Sequence, residues 1–216
     1  MSPGRVVVLN GAPRSGKSSI AAALQHRWDR PLIALGVDAY AAMTPERYRP
    51  GLGLRPGGER PDLEPLVATL YAALYESVVA HSRLRLDVVV DVAHHDDYSR
   101  PLDTLGIAAT ALRELPAYLI GVRCPLDVVM RRRDADRTGV YAQTPPGGGI
   151  PEPVLRWQHA VHVPGVYDLE VNTSLSTPEE CAGAILTRLT AGPGVAFAQL
   201  SHPPRAGTPV PPRAAR

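Results

Sequence analysis

Eight consecutive residues, Gly11-Ala12-Pro13-Arg14-Ser15-Gly16-Lys17-Ser18, spell G-x-x-x-x-G-K-S directly after the apolar run Val6-Val7-Val8-Leu9. The glycines let the backbone turn tightly, so that successive N–H groups point inward at phosphate oxygens. The helix that must follow adds the positive end of its dipole. The motif therefore predicts a phosphate-binding loop for ATP, formed by Gly11, Ala12, Pro13, Arg14, Ser15, Gly16, Lys17, Ser18 and the adjoining Ser19. Lys17 is expected to bridge the β- and γ-phosphates and Ser18 to ligate Mg²⁺. Composition sharpens this: the chain has 23 basic residues, and Lys17 is its one lysine. A sequence so poor in lysine places one where arginine will not serve.

Around this loop, strand and helix signals alternate. Continuous apolar runs at Val6–Leu9, Leu32–Val37, Asp87–Val92 and Tyr118–Val122, with a short fifth run at Asp168–Val171, read as strands buried on both faces. Helical patterns lie at Lys17–Trp28, Leu66–His81, Pro101–Leu115 and Pro178–Leu189. The pattern predicts an α/β fold: a three-layer sandwich of the P-loop kinase type, with a five-stranded parallel sheet and helices on both faces. Tyr71 and Tyr75, at helical spacing, read as core. Two regions, 44–65 and 131–153, the second with its Pro and Gly at Thr144–Pro153, read as lid-like flexible regions within a domain spanning 1–190. From Ala191 the chain is again rich in Pro and Gly, and a disordered tail is expected over 191–216.

Ligands of such sheets bind beyond the carboxyl ends of the strands, so residues following Leu9, Val37, Val92 and Val122 are the ones to inspect. Asp91, closing the third strand, is the natural carboxylate to hold Mg²⁺ with Ser18. Asp38, after the second strand, is placed to accept a proton from an attacking hydroxyl, or simply to cap a helix. Arg131, Arg132, Arg133 and Arg137 form the one dense cationic run; one or two of them are expected to neutralise a transferring phosphoryl group. His94-His95-Asp96-Asp97 lacks zinc-type spacing with the cysteines and reads as a substrate-pocket loop or a plain polar loop.

Charge and hydropathy exclude other classes. The net charge is +2, but the tail carries Arg205, Arg213 and Arg216 and no acid, leaving the body at −1. That is not the basic surface of a nucleic-acid binder. No uninterrupted apolar run reaches the roughly 18 residues of a membrane span, and the start has no signal-peptide layout. A cytoplasmic protein is expected, with Cys124 and Cys181 as buried, unpaired thiols.

Several separated blocks carry a family resemblance: VVVLNGAPRSGKSS, ALGVDAY around Asp38, VVVDV at Asp91, GVRCPLDVV, VHVPGVYDLEVNTS over Val161–Ser174, and EECA at Glu179–Ala182. From about Arg5 to Ala182 the chain resembles chloramphenicol phosphotransferase and its relatives. The resemblance implies that Asp38 is the catalytic base for a substrate hydroxyl and that Arg132 and Arg137 match the lid arginines. It implies ATP and Mg²⁺ as cofactors, a small-molecule acceptor such as an antibiotic, and self-resistance as the biological role. The residues themselves leave two other readings open. One is a metabolic kinase for a sugar, a shikimate-like acid or a nucleoside, with Arg47, Arg49, Arg55 and Arg60 available for an acidic substrate. The other is a non-enzymatic ATP-binding switch.

Overall fold

A computed structural model describes residues 2–49, 60–137, 141 and 143–201. Its framework is one five-stranded sheet, all parallel, with β1 Val6–Asn10 at its centre. β3 Asp87–Val92 and β4 Ala117–Arg123 flank β1, and β2 Leu32–Gly36 and β5 Leu169–Asn172 form the edges, giving the order β2-β3-β1-β4-β5. The register aligns Asn10 with both Val92 and Gly121, so β1 and β3 end level with one another and β4 runs two residues further.

Period-2 alternation sorts the β1 side chains between two cores. Val6 and Val8 join the cluster under α3 Glu64–Arg83, α4 Thr104–Leu112 and α8 Ala196–Ser201. Val7 and Leu9 join the opposite cluster, under α1 Lys17–Arg27 and α7 Pro178–Thr190. All four are fully buried, each worth about 1.5–3 kcal/mol against exposure. The sheet with helices on both faces is the architecture expected from the sequence. Tyr71 and Tyr75 are buried in the first core. α3 belongs to a stretch, Pro61–Arg83, long and apolar enough to cross a membrane. Here it buries Val67, Tyr71, Leu74, Tyr75 and Val78 in the protein's own core.

Several elements differ from the sequence expectation. β2 stops at Gly36, and α2 Val37–Met43 starts without a connecting loop. Gly36 permits this: a Cβ there would lie 2.9 Å from the Asp91 carbonyl oxygen of the neighbouring strand. The Pro/Gly-rich stretch after Thr44 holds two short 3₁₀ turns, Glu46–Tyr48 and Pro61–Leu63; residues 50–59, including Arg55, lie outside the described residues. In the second Pro/Gly-rich stretch, α5 Leu126–Asp134 is followed by α6 Glu152–Ala160, whose Pro153 lies in the first turn. Proline is tolerated there because that N–H has no partner within the helix.

Within the stretch expected as a disordered tail, residues 195–201 are part of the fold. Val195 and Ala196 donate backbone N–H bonds to Asp168 Oδ1 at 2.6 and 3.2 Å, which starts α8. Ala196 and Phe197 then bury against α4 and β4. One aromatic and one small residue suffice to hold this turn. Residues 202–216 lie outside the described residues.

Candidate active site

The carboxyl ends of the strands open into one cavity of about 760 Å³, and the loops that follow them line it. The turn after β1 is the G-x-x-x-x-G-K-S loop expected to bind phosphate. Pro13, Arg14, Gly16, Lys17, Ser18 and Ser19 face the cavity, while Gly11, Ala12 and Ser15 are buried behind them. Gly16 has φ +98°, the left-handed region that favours glycine, and a Cβ there would meet Thr173 at 3.3 Å and the Arg132 guanidinium at 3.4 Å. The turn is therefore as tight as a backbone cradle for phosphate requires. Lys17 Nζ donates to the carbonyls of Gly11 and Ala12 at 2.9 and 3.0 Å, folding its ammonium back over the loop. Ser15 Oγ is buried without a hydrogen-bond partner, an orphan that an anion in the cradle would suit.

Asp91 stands beside this loop because β3 runs next to β1 in register. Its Oδ2 accepts a 2.6 Å bond from Ser18 Oγ, and its Oδ1 lies 3.5 Å from Lys17 Nζ. A hydroxyl and a carboxylate held together are hard oxygen donors of the kind Mg²⁺ takes, the rest of its shell coming from phosphate and water. Among the described residues there is no cluster of three or more His, Cys, Asp or Glu that could hold a metal. A cation at Ser18 and Asp91 would thus share its shell with a bound phosphate. The donor set and the orphaned Ser15 hydroxyl both fit Mg²⁺ and a polyphosphate.

The arginine run divides by helix geometry, as residues pointing in different directions must. Arg131 is exposed and pairs with Asp127 one turn earlier at 2.9 Å. Arg133 is fully buried, 5.5 Å from the Tyr141 ring; burial lowers its pKa. Arg132 reaches the loop: Nη1 donates to the Arg14 carbonyl at 3.2 Å and to Thr173 Oγ1 at 3.1 Å, and Nη2 donates to the Thr173 carbonyl at 2.9 Å. Thr173 Oγ1 donates in turn to the Ser15 carbonyl at 2.6 Å. Arg137 is exposed and lines the cavity. Thr173 was not foreseen. It follows β5, the one strand end left out of the sequence survey.

Asp38 lies in the first turn of α2 and is exposed on the cavity wall. It shares the cavity lining with Val37, Tyr40, Val67, Leu70, Tyr71, Tyr98 and Trp157. Apart from Asp38, these residues carried no chemical signal in the sequence; only their convergence makes them a wall. Arg47, Arg49 and Arg60 are absent from the lining. Arg47 stacks on Tyr48, Arg49 donates to the Thr44 and Ala42 carbonyls, and Arg60 pairs with Asp62.

The two histidines after β3 take different places. His94 is buried between Tyr75 and Thr104, 2.6 Å from the Tyr75 hydroxyl and 3.1 Å from Thr104 Oγ1, and burial lowers its pKa to about 3. It belongs to the core. His95 stacks on Tyr98 with centroids 4.2 Å apart and meets the edge of Trp157 at 4.2 Å. It therefore backs two residues of the cavity wall. Burial lowers its pKa to about 4, against the opposing pull of Asp97 and Asp96. The loop carrying both is pinned by Glu64, whose carboxylate accepts from the Ser99 N–H and hydroxyl.

Comparison with known proteins places this arrangement. The family of chloramphenicol phosphotransferase-like proteins matches residues 4–190. The chain belongs to that family. No curated protein matches it in sequence at a significant level. Among solved structures, it is similar to a sugar kinase from Janibacter sp. HTCC2649 (19% identity, 90% of this chain and 99% of that one, TM-score 0.59). It is also similar to shikimate kinase from Acinetobacter baumannii (13% identity, 88% and 94%, TM-score 0.55). A third is the tunicamycin resistance protein of Deinococcus radiodurans (14% identity, 90% and 99%, TM-score 0.54). At these identities the structural likenesses establish the fold. Fold and family together mark this phosphotransferase-like chain as a kinase-type phosphotransferase.

Proposed function

We propose that the protein transfers the γ-phosphoryl group of ATP, with Mg²⁺, to a hydroxyl of a small neutral molecule. An antibiotic such as chloramphenicol or a nucleoside antibiotic is the acceptor class, and resistance is the biological outcome. The observation that carries the reading is the shared cavity: the glycine loop with Ser18 and Asp91, and Asp38 with the aromatic side chains of Tyr40, Tyr71, Tyr98 and Trp157, line the same space.

Ser18 and Asp91 would hold the cation, which when bound supplies charge neutralisation on the phosphate oxygens. Lys17 and the loop N–H groups hold the polyphosphate and orient it. Asp38 accepts the proton of the acceptor hydroxyl as its oxygen attacks phosphorus in line; the bond to the bridging oxygen breaks, and ADP leaves with that electron pair. Arg132, tied to the loop through Thr173, and Arg137 at the rim stabilise the charge on the transferring group.

The surroundings of Asp38 favour a neutral, partly apolar substrate over a shikimate-like acid: the lining includes Val37, Tyr40, Val67, Leu70 and Tyr71, and an anionic acceptor would have to approach the Asp38 carboxylate. The family membership supports the antibiotic reading, as does the structural likeness to a tunicamycin resistance protein. With ATP as the donor, a cytoplasmic reaction fits this reading.

The test is a coupled ADP-release assay with Mg·ATP against neutral hydroxyl-bearing antibiotics, with shikimate and gluconate alongside. Turnover confined to the neutral set supports the reading. Turnover on the acids alone makes the protein a metabolic kinase, and tight ATP binding with no acceptor anywhere favours a nucleotide switch.

A further inference from the structure

Arg14 occupies an unusual position for its type. It lies inside the phosphate loop at φ +69°, in the left-handed region where a long side chain costs free energy that glycine does not. An observed backbone outlier in a ligand loop is grounds for asking what its side chain does. This side chain does not trail into solvent. It lines the cavity, ion-pairs with Asp136 just past the end of α5, and lies 4.6 Å from the ring of Tyr141, which also lines the cavity.

The pair is nearly enclosed: the Arg14 side chain is 29% exposed and that of Asp136 is 8%. A carboxylate so far from water needs a cation beside it. A guanidinium carries five N–H donors in a planar fork. The carboxylate engages one end of it, and Nε is buried without a partner. Arg14 therefore lines the cavity with a guanidinium whose Nε donor is unused. Its own carbonyl receives Arg132 Nη1, so two guanidiniums converge on one stretch of loop.

We propose that the side chain of Arg14 is a phosphate-contacting group of the nucleotide site, in addition to the backbone of its loop, and that Asp136 is the residue that positions it. This rests on the reading that the cavity binds Mg·ATP. Asp136 holds the guanidinium at the wall before nucleotide arrives, which lowers the cost of ordering a long side chain at the moment of binding. The polyphosphate then takes the donors that the carboxylate leaves unused.

The test separates this role from a purely structural one by pairing two variants on the full chain. Mg·ATP affinity is measured by isothermal titration calorimetry, and stability by thermal denaturation without nucleotide. Arg14→Ala is expected to lower Tm, because it removes the guanidinium beside a buried carboxylate, and to weaken Mg·ATP binding about tenfold or more. Arg14→Ala combined with Asp136→Asn is expected to recover Tm, since the carboxylate charge is gone, while Mg·ATP binding stays weak. Asp136→Asn alone is expected to weaken binding by less than Arg14→Ala. If the double variant regains both Tm and wild-type affinity, Arg14 exists only to neutralise Asp136 and the proposal is overturned. If wild type itself does not bind Mg·ATP, the reading beneath the proposal fails with it. Wild-type binding with an unaffected Arg14→Ala overturns the proposal alone.

Discussion

Ser18 Oγ donates a 2.6 Å hydrogen bond to Asp91 Oδ2, joining the first turn of α1 to the end of β3 across the sheet. The two residues are 73 positions apart, yet the parallel register of β1 on β3 makes them neighbours. If this pair holds the cation that accompanies ATP, Asp91→Asn keeps the hydrogen bond's shape while removing the pair's negative charge. Turnover should fall about 10²-fold, and added Mg²⁺ should recover part of it. A magnesium titration of the initial rate checks this. Unchanged magnesium dependence would remove Asp91 from the site.

Asp38 is assigned a proton to accept, and that role separates chemistry from nucleotide binding. Asp38→Ala should lower kcat by about 10²–10⁴-fold while Mg·ATP affinity stays within about twofold of wild type. Calorimetry and the coupled assay on the same preparation decide it. Equal losses in affinity and rate would make Asp38 a structural residue of α2.

Gly16 is held between Thr173 and Arg132 at φ +98°. Gly16→Ala places a Cβ against both neighbours and strains the backbone by about 1–3 kcal/mol. The loop should open and Mg·ATP binding should be lost, while the fold, seen by circular dichroism, is retained. Undiminished binding would show that the loop has room the geometry denies.

At the opposite end of β3, Asp87 is 1% exposed and accepts the Arg5 N–H, Trp28 Nε1 and Arg30 Nη2. It lies far from the cavity lining and should matter to stability alone. Asp87→Ala is expected to cost about 1–3 kcal/mol in urea denaturation by leaving the Arg5 N–H and the Trp28 indole N–H without their acceptor.

Three histidines make stability depend on acidity. Burial lowers the pKa of His94 to about 3, and those of His95 and His162 to about 4, from an ordinary 6.5. Between pH 6.5 and 4 the unfolded chain therefore binds protons that the folded chain does not, so stability rises with pH across that window. Urea midpoints at pH 7 and pH 5 should differ, with pH 5 lower. A flat profile would mean that these rings protonate freely in the native state.

How much was legible beforehand follows from where the information resides. The phosphate loop is local: eight contiguous residues dictate its turn, and the structure forms it where the motif stands. The strands were legible because residues buried on both faces read as unbroken apolar runs. The places of Asp38 and Asp91 followed from the rule that strand ends form the site. The aromatic wall was not legible, because Tyr71, Tyr98 and Trp157 come from α3, a loop and α6, and only packing brings them together. α2 and α6 were hidden by neighbouring glycines and prolines that read as breaks but serve as a close strand contact at Gly36 and a first helical turn at Pro153. α8 was hidden by the composition around it, because the Asp168 carboxylate that starts it lies 27 residues away.

The most direct test of the central claim is product mass. Wild type and Asp38→Ala are each incubated with Mg·ATP and the panel of hydroxyl-bearing antibiotics, and the products are weighed by mass spectrometry. The account predicts that at least one neutral compound gains a single phosphate with wild type, and that Asp38→Ala, still binding ATP, forms little or none. A phosphorylated product made equally well by both proteins, or ATP bound with no acceptor modified in the panel, would contradict it.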